Sequence, residues 1–201
     1  MLALSNIVDI IQGCLRKRKS YEVHEPSFPP ITKKVLNDCI NSGWISSGGK
    51  YVKIFEKSFS KFIKSKYALS TTSGTTALHL ALASLGIKKD DEVILPNLTF
   101  ISPVNAAIYL GAKPVLVDID KNNLCIDPKK IEKAITKKTR AIVLVYLYGH
   151  GCDIDRIKKI AKKYKLHLVE DCAEGMGTYC KNRHVGNFGD ASTFSFFVVK
   201  Q

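Results

Sequence analysis

Apolar positions follow two alternating patterns along most of this chain. Short runs rich in β-branched and other apolar residues predict strands at residues 67–71, 92–96, 115–119, 141–146, 166–171 and 191–197. Between them, apolar residues recur at helical spacing and predict helices at residues 75–85, 102–110, 128–135 and 153–164. Strands that are apolar throughout and alternate with helices are typical of an α/β protein, whose parallel sheet is covered on both faces.

The first part of the chain has a different organisation. Residues 2–15 have the spacing of a short amphipathic helix, and the basic cluster Arg16-Lys17-Arg18-Lys19 follows it. Three prolines at positions 26, 29 and 30 then interrupt regular structure, and further helices are predicted at about 31–41 and 51–65. We therefore assign residues 1–22 to an N-terminal helix with a basic linker, and residues 23–201 to the main domain.

Composition indicates a globular protein with a strongly basic surface. The chain has 201 residues, 45% of them hydrophobic, a mean hydropathy of −0.02 and a net charge of +13. Many lysines fall on helix faces, as in residues 158–165, which favours a solvated surface over nucleic-acid binding. The same charge would suit a nucleotide-sugar diphosphate, so charge alone does not decide the ligand.

The cysteines and the chain start favour a cytoplasmic protein that does not enter a membrane. Six cysteines occur without a C-x-x-C pair, and the first residues lack the features of a secretory signal. No apolar run approaches the roughly 20 residues of a membrane helix. Cys172, Cys180 and His184 do not match a zinc-binding spacing, so we expect no metal.

Two polar or aromatic features follow predicted strands, where ligands of parallel α/β sheets bind. Ser73-Gly74-Thr75-Thr76 opens the helix at 75–85. Its amides and hydroxyls suit a phosphate, although the same residue types also serve as a plain helix cap. Phe100 follows the strand at 92–96, and its ring could lie against a planar ligand or pack in the core.

Two further features carry charge to the same edge. Glu170 and Asp171 end an apolar strand, where a carboxylate could pair with a protonated pyridine nitrogen or cap the next helix. Lys200 follows Ser195 and a run of apolar residues. A desolvated lysine at this position could form a Schiff base, whereas a solvated lysine at a chain end would have no such role. Taken together, the lysine, the carboxylate and the glycine-threonine loop match the needs of a pyridoxal phosphate enzyme.

In residues 22–201, the order of motifs resembles one family, the pyridoxal phosphate-dependent sugar aminotransferases of the DegT/DnrJ/EryC1/StrS group. The matching stretches are His24-Glu25-Pro26, Gly43-Trp44-Ile45-Ser46-Ser47-Gly48, Thr72 to His79, Asp91 to Pro96, Pro114 to Asp118, Tyr148-Gly149, Glu170-Asp171 and Phe194 to Phe197. The resemblance implies the large domain of the aspartate aminotransferase-like fold, known as fold type I. The first two motifs are similar to the branch that makes perosamine and other 4-amino sugars.

The resemblance also implies a role for each candidate residue. Lys200 would be catalytic, forming the Schiff base and shuttling a proton. Asp171 would pair with the pyridine nitrogen and Phe100 would stack on the ring, while Glu174 would lie near the ring oxygen. The phosphate would be held by Gly74, Thr75 and Ser195. Some relatives are 3-dehydratases with histidine in place of the lysine, so Lys200 favours transamination.

The resemblance further implies an overall reaction and its partners. The amino group would pass from glutamate to a 4-keto-6-deoxy nucleotide sugar, in a homodimeric enzyme of surface polysaccharide or glycan biosynthesis. The glycine-rich segment expected after Lys200, an antiparallel strand beside residues 67–71 and the C-terminal small domain would all be missing, leaving an incomplete large domain. The alternative is a catalytically inactive remnant, or one half of a split gene that folds with a partner.

Overall fold

A five-stranded parallel sheet organises the chain in the computed structural model, which describes residues 4–14 and 27–197. Its strands are β1 (Glu92–Pro96), β2 (Lys113–Val117), β3 (Thr139–Val145), β4 (His167–Asp171) and β7 (Ala191–Thr193), in the order β2-β1-β3-β4-β7. A separate antiparallel hairpin joins β5 (Tyr179–Cys180) to β6 (Arg183–His184). The predicted α/β class with a mostly parallel sheet is confirmed.

Seven α-helices accompany these strands in the described residues. They are α1 (Leu4–Cys14), α2 (Pro30–Ser42), α3 (Lys50–Ile63), α4 (Gly74–Ser84), α5 (Ser102–Tyr109), α6 (Pro128–Ala134) and α7 (Ile154–Tyr164). Proline stands in the first turn of α2, α5 and α6, where its fixed φ suits a helix and its missing N–H removes no helical hydrogen bond. Gly43 ends α2 in the left-handed conformation, with φ of 70°.

Apolar side chains cover both faces of the sheet. On one face, Leu78 and Leu82 of α4 and Ala106 and Ala107 of α5 pack with β-strand residues that include Val143. On the other face, Ile131 of α6 and residues 154, 157 and 160 of α7 belong to a second buried cluster. Burial of each large aliphatic side chain contributes about 1.5–3 kcal/mol, so both layers hold the strand ends in place.

The strand predicted at residues 67–71 is wrong, because this segment is irregular in the structure. Within the described residues no strand forms a ladder with it, and alternating apolar residues do not make a strand without a partner. Tyr67 and Leu69 are 77% and 72% exposed. The segment is instead tied to α3, since the N–H and Oγ of Ser70 both donate to Glu56 Oε1 at 2.8 Å. The last strand is also shorter than predicted, since β7 ends at Thr193.

The predictions for the two ends of the chain can be compared with the structure only in part. The predicted N-terminal helix is confirmed over Leu4–Cys14. The basic cluster at 16–19, the His24-Glu25-Pro26 motif and Lys200 lie outside the described residues. In the ranges 4–14 and 27–197, no helix is both long and apolar enough to cross a membrane.

Candidate active site

The structure brings five of the predicted site residues to one cavity of about 1180 Å³ at the carboxyl edge of the sheet. The cavity lies between α4, β7 and the irregular segment that precedes α4. The predicted residues that line it are Gly74, Thr75, Phe100, Asp171 and Ser195. These residues come from four separate segments of the sequence, and the parallel topology explains why they meet at one edge.

The N-terminus of α4 forms one wall of this cavity. Ser73 caps the helix, because its Oγ accepts from the N–H of Thr76 at 3.2 Å and Thr76 Oγ1 accepts from the N–H of Ser73 at 3.0 Å. The helix-cap interpretation of this motif is therefore confirmed. The cap occupies the third amide of the helix, whereas the amides of Gly74 and Thr75 in the first two positions have no acceptor within the helix. A cap and an anion site can thus coexist here.

Ser195 lies directly against this helix start. A Cβ placed on Gly74 would be 3.4 Å from Ser195 Cβ and 3.6 Å from its Oγ, so the glycine permits a close approach. Thr75 Oγ1 is 2.8 Å from Ser102 Oγ, which adds a further hydroxyl to the cavity wall. The result is a small group of hydroxyls around the positive end of the α4 dipole, an environment that favours an anion.

Aromatic packing fixes the segment that carries Ser195. Phe194 and Phe196 both make edge-to-face contacts with Phe59 of α3, with ring centroids 5.0 and 5.3 Å apart. Because successive side chains of an extended chain alternate in direction, anchoring Phe194 and Phe196 turns Ser195 towards α4. The apolar residues of this run therefore position a polar one.

Asp171 ends β4 at the cavity and is only 5% exposed. Its Oδ1 accepts from the N–H of Ala173 at 3.0 Å. The alternative that this carboxylate caps a following helix is wrong, since the chain continues through turns into the β5–β6 hairpin. Within the sheet, Asp171 is the register partner of Thr193 on β7.

Two buried hydroxyls flank Asp171 without a hydrogen-bond partner among the described residues. They belong to Thr193 on β7, which lines the large cavity, and to Thr99, which shares a smaller adjoining pocket with Asp171. An unsatisfied buried hydroxyl is costly and is rare in native proteins. The two hydroxyls and the carboxylate therefore suit a ligand that presents polar atoms to this part of the cavity, and the residues present fit such a group.

Phe100 lies at the border between the two pockets, and Glu174 lies in the smaller one. Phe100 is 61% exposed and lines both, so the alternative that it packs in the core is wrong. Glu174 lines the smaller pocket, and its Oε2 accepts from the N–H of Tyr148 at 2.7 Å. The structure thus places Glu174 beside Phe100 and Asp171, whereas its predicted role at a ring oxygen stays a prediction.

Glu170 and Asp171 are neighbours in sequence but face opposite sides of the sheet. Leu168 belongs to the core layer beneath α6 and α7, whereas Val169 belongs to the layer beneath α4 and α5. Alternation along β4 therefore places Glu170 on the first face and Asp171 on the second. Tyr146 donates to Glu170 Oε2 at 2.7 Å, and burial followed by the Glu170 charge raises the pKa of this phenol far above its ordinary value. Sequence patterns gave no signal for this contact.

The cysteines of the described residues are all free thiols, and several are buried. Burial raises the pKa of Cys125 to about 11 and raises that of Cys172 well above its ordinary value, so these thiols stay neutral. In the part of the chain that the structure describes, no group of three metal-ligating side chains comes together. His184 is instead buried in an internal network, with its Nε2 accepting from the N–H of Gly177 at 3.0 Å.

Fold and cavity define an α/β protein with a large cavity at the carboxyl edge of a parallel sheet. Sequence comparison makes this class specific, because the DegT/DnrJ/EryC1/StrS aminotransferase family matches residues 30–201. The chain belongs to this family.

Individual relatives agree with the family assignment. The GDP-perosamine synthases of Escherichia coli O157:H7 and Vibrio cholerae are 48% and 46% identical over 182 and 178 residues, which cover 90% and 89% of this chain. Those segments are 50% and 48% of the two relatives, so the chain spans about half their length. A GDP-4-keto-6-deoxy-D-mannose-3-dehydratase of Escherichia coli, solved with bound hydrated PLP, is 34% identical with a TM-score of 0.83, over 89% of this chain and 47% of that one.

Proposed function

We propose that residues 23–201 form the pyridoxal phosphate-binding large domain of a nucleotide-sugar aminotransferase, and that residues 1–22 form a separate N-terminal segment. The observation that carries this proposal is the convergence of Gly74, Thr75, Phe100, Asp171 and Ser195 on one cavity. A related structure that contains PLP supports the choice of cofactor.

The residues of the cavity would hold the cofactor at its two ends. Ser195 and the start of α4, with Gly74 and Thr75, would bind the phosphate through hydroxyl and amide donors. Asp171 would bind the pyridine nitrogen, and its buried carboxylate would keep a proton on that atom. Phe100 would cover one face of the ring, and Glu174 would approach the ring oxygen. When bound, pyridoxal phosphate supplies an electron-accepting ring for amino-group chemistry.

Lys200 would supply the remaining chemical group. Its Nζ would hold the cofactor covalently and would accept and return the proton that moves during amino transfer. The family resemblance implies histidine at this position in the 3-dehydratases, so Lys200 favours transamination as the reaction. The amino group would leave glutamate as 2-oxoglutarate forms, and the keto carbon of the sugar would become the amino-bearing carbon.

The named relatives support the proposed substrate class. Two GDP-perosamine synthases support a 4-keto-6-deoxy nucleotide sugar as the acceptor, and surface polysaccharide or glycan synthesis as the pathway. The basic charge of +13 agrees with a diphosphate substrate, although it does not single one out. Glutamate as donor and a cytoplasmic location complete the proposal.

A homodimer is the proposed assembly. Large apolar side chains are exposed around the site and on the segment after α2, among them Trp44 at 63%, Ile45 at 80% and Phe100 at 61%. Exposed apolar surface of this kind marks interaction sites on soluble proteins.

The reaction can be tested with GDP-4-keto-6-deoxymannose and glutamate as substrates for the complete protein. The proposal predicts equimolar formation of amino sugar and 2-oxoglutarate, dependent on added pyridoxal phosphate and lost in Lys200→Ala. Retention of the transfer by Lys200→Ala, or formation of a 3-deoxy sugar in place of the amino sugar, would contradict it.

A further inference from the structure

Glu170 is a fully buried carboxylate whose hydrogen bonds come from a single loop and one tyrosine. Its side chain is 0% exposed. Oε1 accepts from the N–H groups of Phe188 and Gly189 at 2.6 and 2.7 Å. Oε2 accepts from the N–H of Gly186 at 2.9 Å and from the Tyr146 hydroxyl at 2.7 Å. Each oxygen thus receives two donors.

The chemical type of the four groups that contact the Glu170 carboxylate is as informative as their number. All four groups are donors, which is the set that an ionised carboxylate needs, and none of them is a cation. Hydrogen bonds to a charged group are worth about 1.5–3 kcal/mol each, whereas an unmatched buried charge is strongly destabilising. Glu170 therefore holds the backbone of residues 186–189 in one conformation, and any other conformation of this loop would leave the charge without partners.

Two positions of the loop require glycine, one because it lies against β4 and the other because it lies against the ring of Phe194. A Cβ on Gly189 would overlap the carbonyl of Leu168, and a Cβ on Gly186, whose φ is +88°, would lie 2.6 Å from the ring of Phe194. The N–H of Asp190 donates to the carbonyl of Leu168 at 2.8 Å. The loop is thus seated against β4 at several points, with the Glu170 carboxylate at its centre.

This loop leads directly into the segment that carries a site residue. β7 begins at Ala191 and pairs with β4 in the register Glu170↔Ser192 and Asp171↔Thr193. Two residues after Thr193, Ser195 reaches the start of α4, where a Cβ on Gly74 would lie 3.4 Å from Ser195 Cβ. The conformation of the loop thus fixes the start of β7, and together with the contacts of Phe194 and Phe196 on Phe59 it sets where Ser195 lies relative to the α4 amides.

We propose that Glu170 is a positioning residue for the phosphate end of the ligand, which acts through the 186–189 loop to hold Ser195 against the start of α4. The inference rests on the proposed function, because it assigns the phosphate of pyridoxal phosphate to that end of the cavity. Asp171, on the opposite face of β4, would serve the other end of the ligand.

The test compares pyridoxal phosphate with pyridoxal, which has the same ring and aldehyde but no phosphate. Dissociation constants for both are measured by equilibrium dialysis on the complete protein and its Glu170→Gln variant. The amide of glutamine replaces one acceptor oxygen with a donor that faces N–H groups. We expect the preference for pyridoxal phosphate over pyridoxal to fall about tenfold, with pyridoxal affinity nearly unchanged.

Two further variants sharpen the comparison. Glu132→Gln makes the same chemical change at a carboxylate of the α6 surface that pairs with Lys163, and it should leave the preference unchanged. Tyr146→Phe removes one of the four donors and leaves the three backbone ones, so it should lower the preference about two- to threefold. If Glu170→Gln does not fold, Tyr146→Phe carries the test.

A measurement on the ligand-free protein tests this inference separately from the proposed function. Hydrogen exchange at the amides of Phe188 and Gly189 should be slow in the wild type and at least about tenfold faster in Glu170→Gln. An unchanged ligand preference in folded Glu170→Gln, or equal losses for the two ligands, would overturn the inference. A wild-type protein that binds neither ligand but shows the exchange difference would instead overturn the proposed function.

Discussion

At the scale of single residues, adjacent positions on one strand have separate structural consequences. Asp171 lies at the cavity with its Oδ1 accepting from the N–H of Ala173, whereas Glu170 is sealed in the opposite face among four donors. The two carboxylates therefore contact different parts of the chain. The pair shows how a strand end can serve a ligand site on one face and a structural loop on the other.

Gly189 offers a test of how closely the 186–189 loop is seated. In Gly189→Ala the new Cβ would overlap backbone atoms of Leu168, which cannot move without disturbing β4. We expect a loss of about 2 kcal/mol or more in the free energy of unfolding, measured by urea denaturation. Gly48→Ala is the matched control, because its Cβ would meet no atom closer than 3.5 Å and should change stability by less than about 0.5 kcal/mol. Equal stabilities of the two variants would show that the loop is loosely seated.

At the scale of elements, the capping box of α4 makes a prediction about helix stability. Ser73→Ala removes the acceptor for the N–H of Thr76 and should lower the free energy of unfolding by about 1 kcal/mol. Ser60→Ala, which loses only a side-chain bond to the carbonyl of Lys57 within α3, should be nearly neutral. Thermal denaturation of the two variants under identical conditions distinguishes them. A Ser73→Ala variant as stable as Ser60→Ala would contradict the capping role.

The contact between α3 and the segment after β7 depends on Phe59. Its ring meets those of Phe55, Phe62, Phe194 and Phe196 at centroid distances of 5.0–6.2 Å. We expect Phe59→Ala to lower the free energy of unfolding by about 2–3 kcal/mol, through lost burial and lost ring contacts. Phe28→Ala, at a phenylalanine that is 64% exposed, is the control and should have little effect. Chemical denaturation measures both, and equal losses would show that the aromatic cluster does not hold the segment.

Helices and parallel strands could be predicted from the sequence to within a few residues, because their apolar periodicity is local. The segment at 67–71 could not, since its apolar pattern does not reveal whether a neighbouring strand is there to pair with it. The β5–β6 hairpin was missed because strands of two residues carry no periodic signal. In the site, residues with strand-end or helix-start motifs were predictable, whereas the Glu170 network joins positions 16–24 residues apart and has no local signature.

At the scale of the whole molecule, the chain spans about half the length of the curated relatives that it matches. The proposed homodimer gives a prediction at this scale, because exposed side chains such as Ile45 would be covered in the assembly. Sedimentation velocity of the complete protein should show a dimer, and Ile45→Lys should shift the equilibrium towards monomer by about tenfold or more in dissociation constant. Gln12→Lys, at an exposed polar position of α1, provides the control and should leave the dissociation constant unchanged. A wild-type monomer at all concentrations would contradict the proposed assembly.

The proposed function requires that one cavity hold pyridoxal phosphate with Lys200 as its covalent partner. The most direct measurement is to incubate the complete protein with pyridoxal phosphate, reduce it with borohydride and locate the added group by peptide mass spectrometry. We expect stoichiometric modification of the peptide that contains Lys200, and no modification of that peptide in Lys200→Ala. Modification at other lysines with Lys200 untouched, or an equal yield in Lys200→Ala, would contradict the proposed role of Lys200.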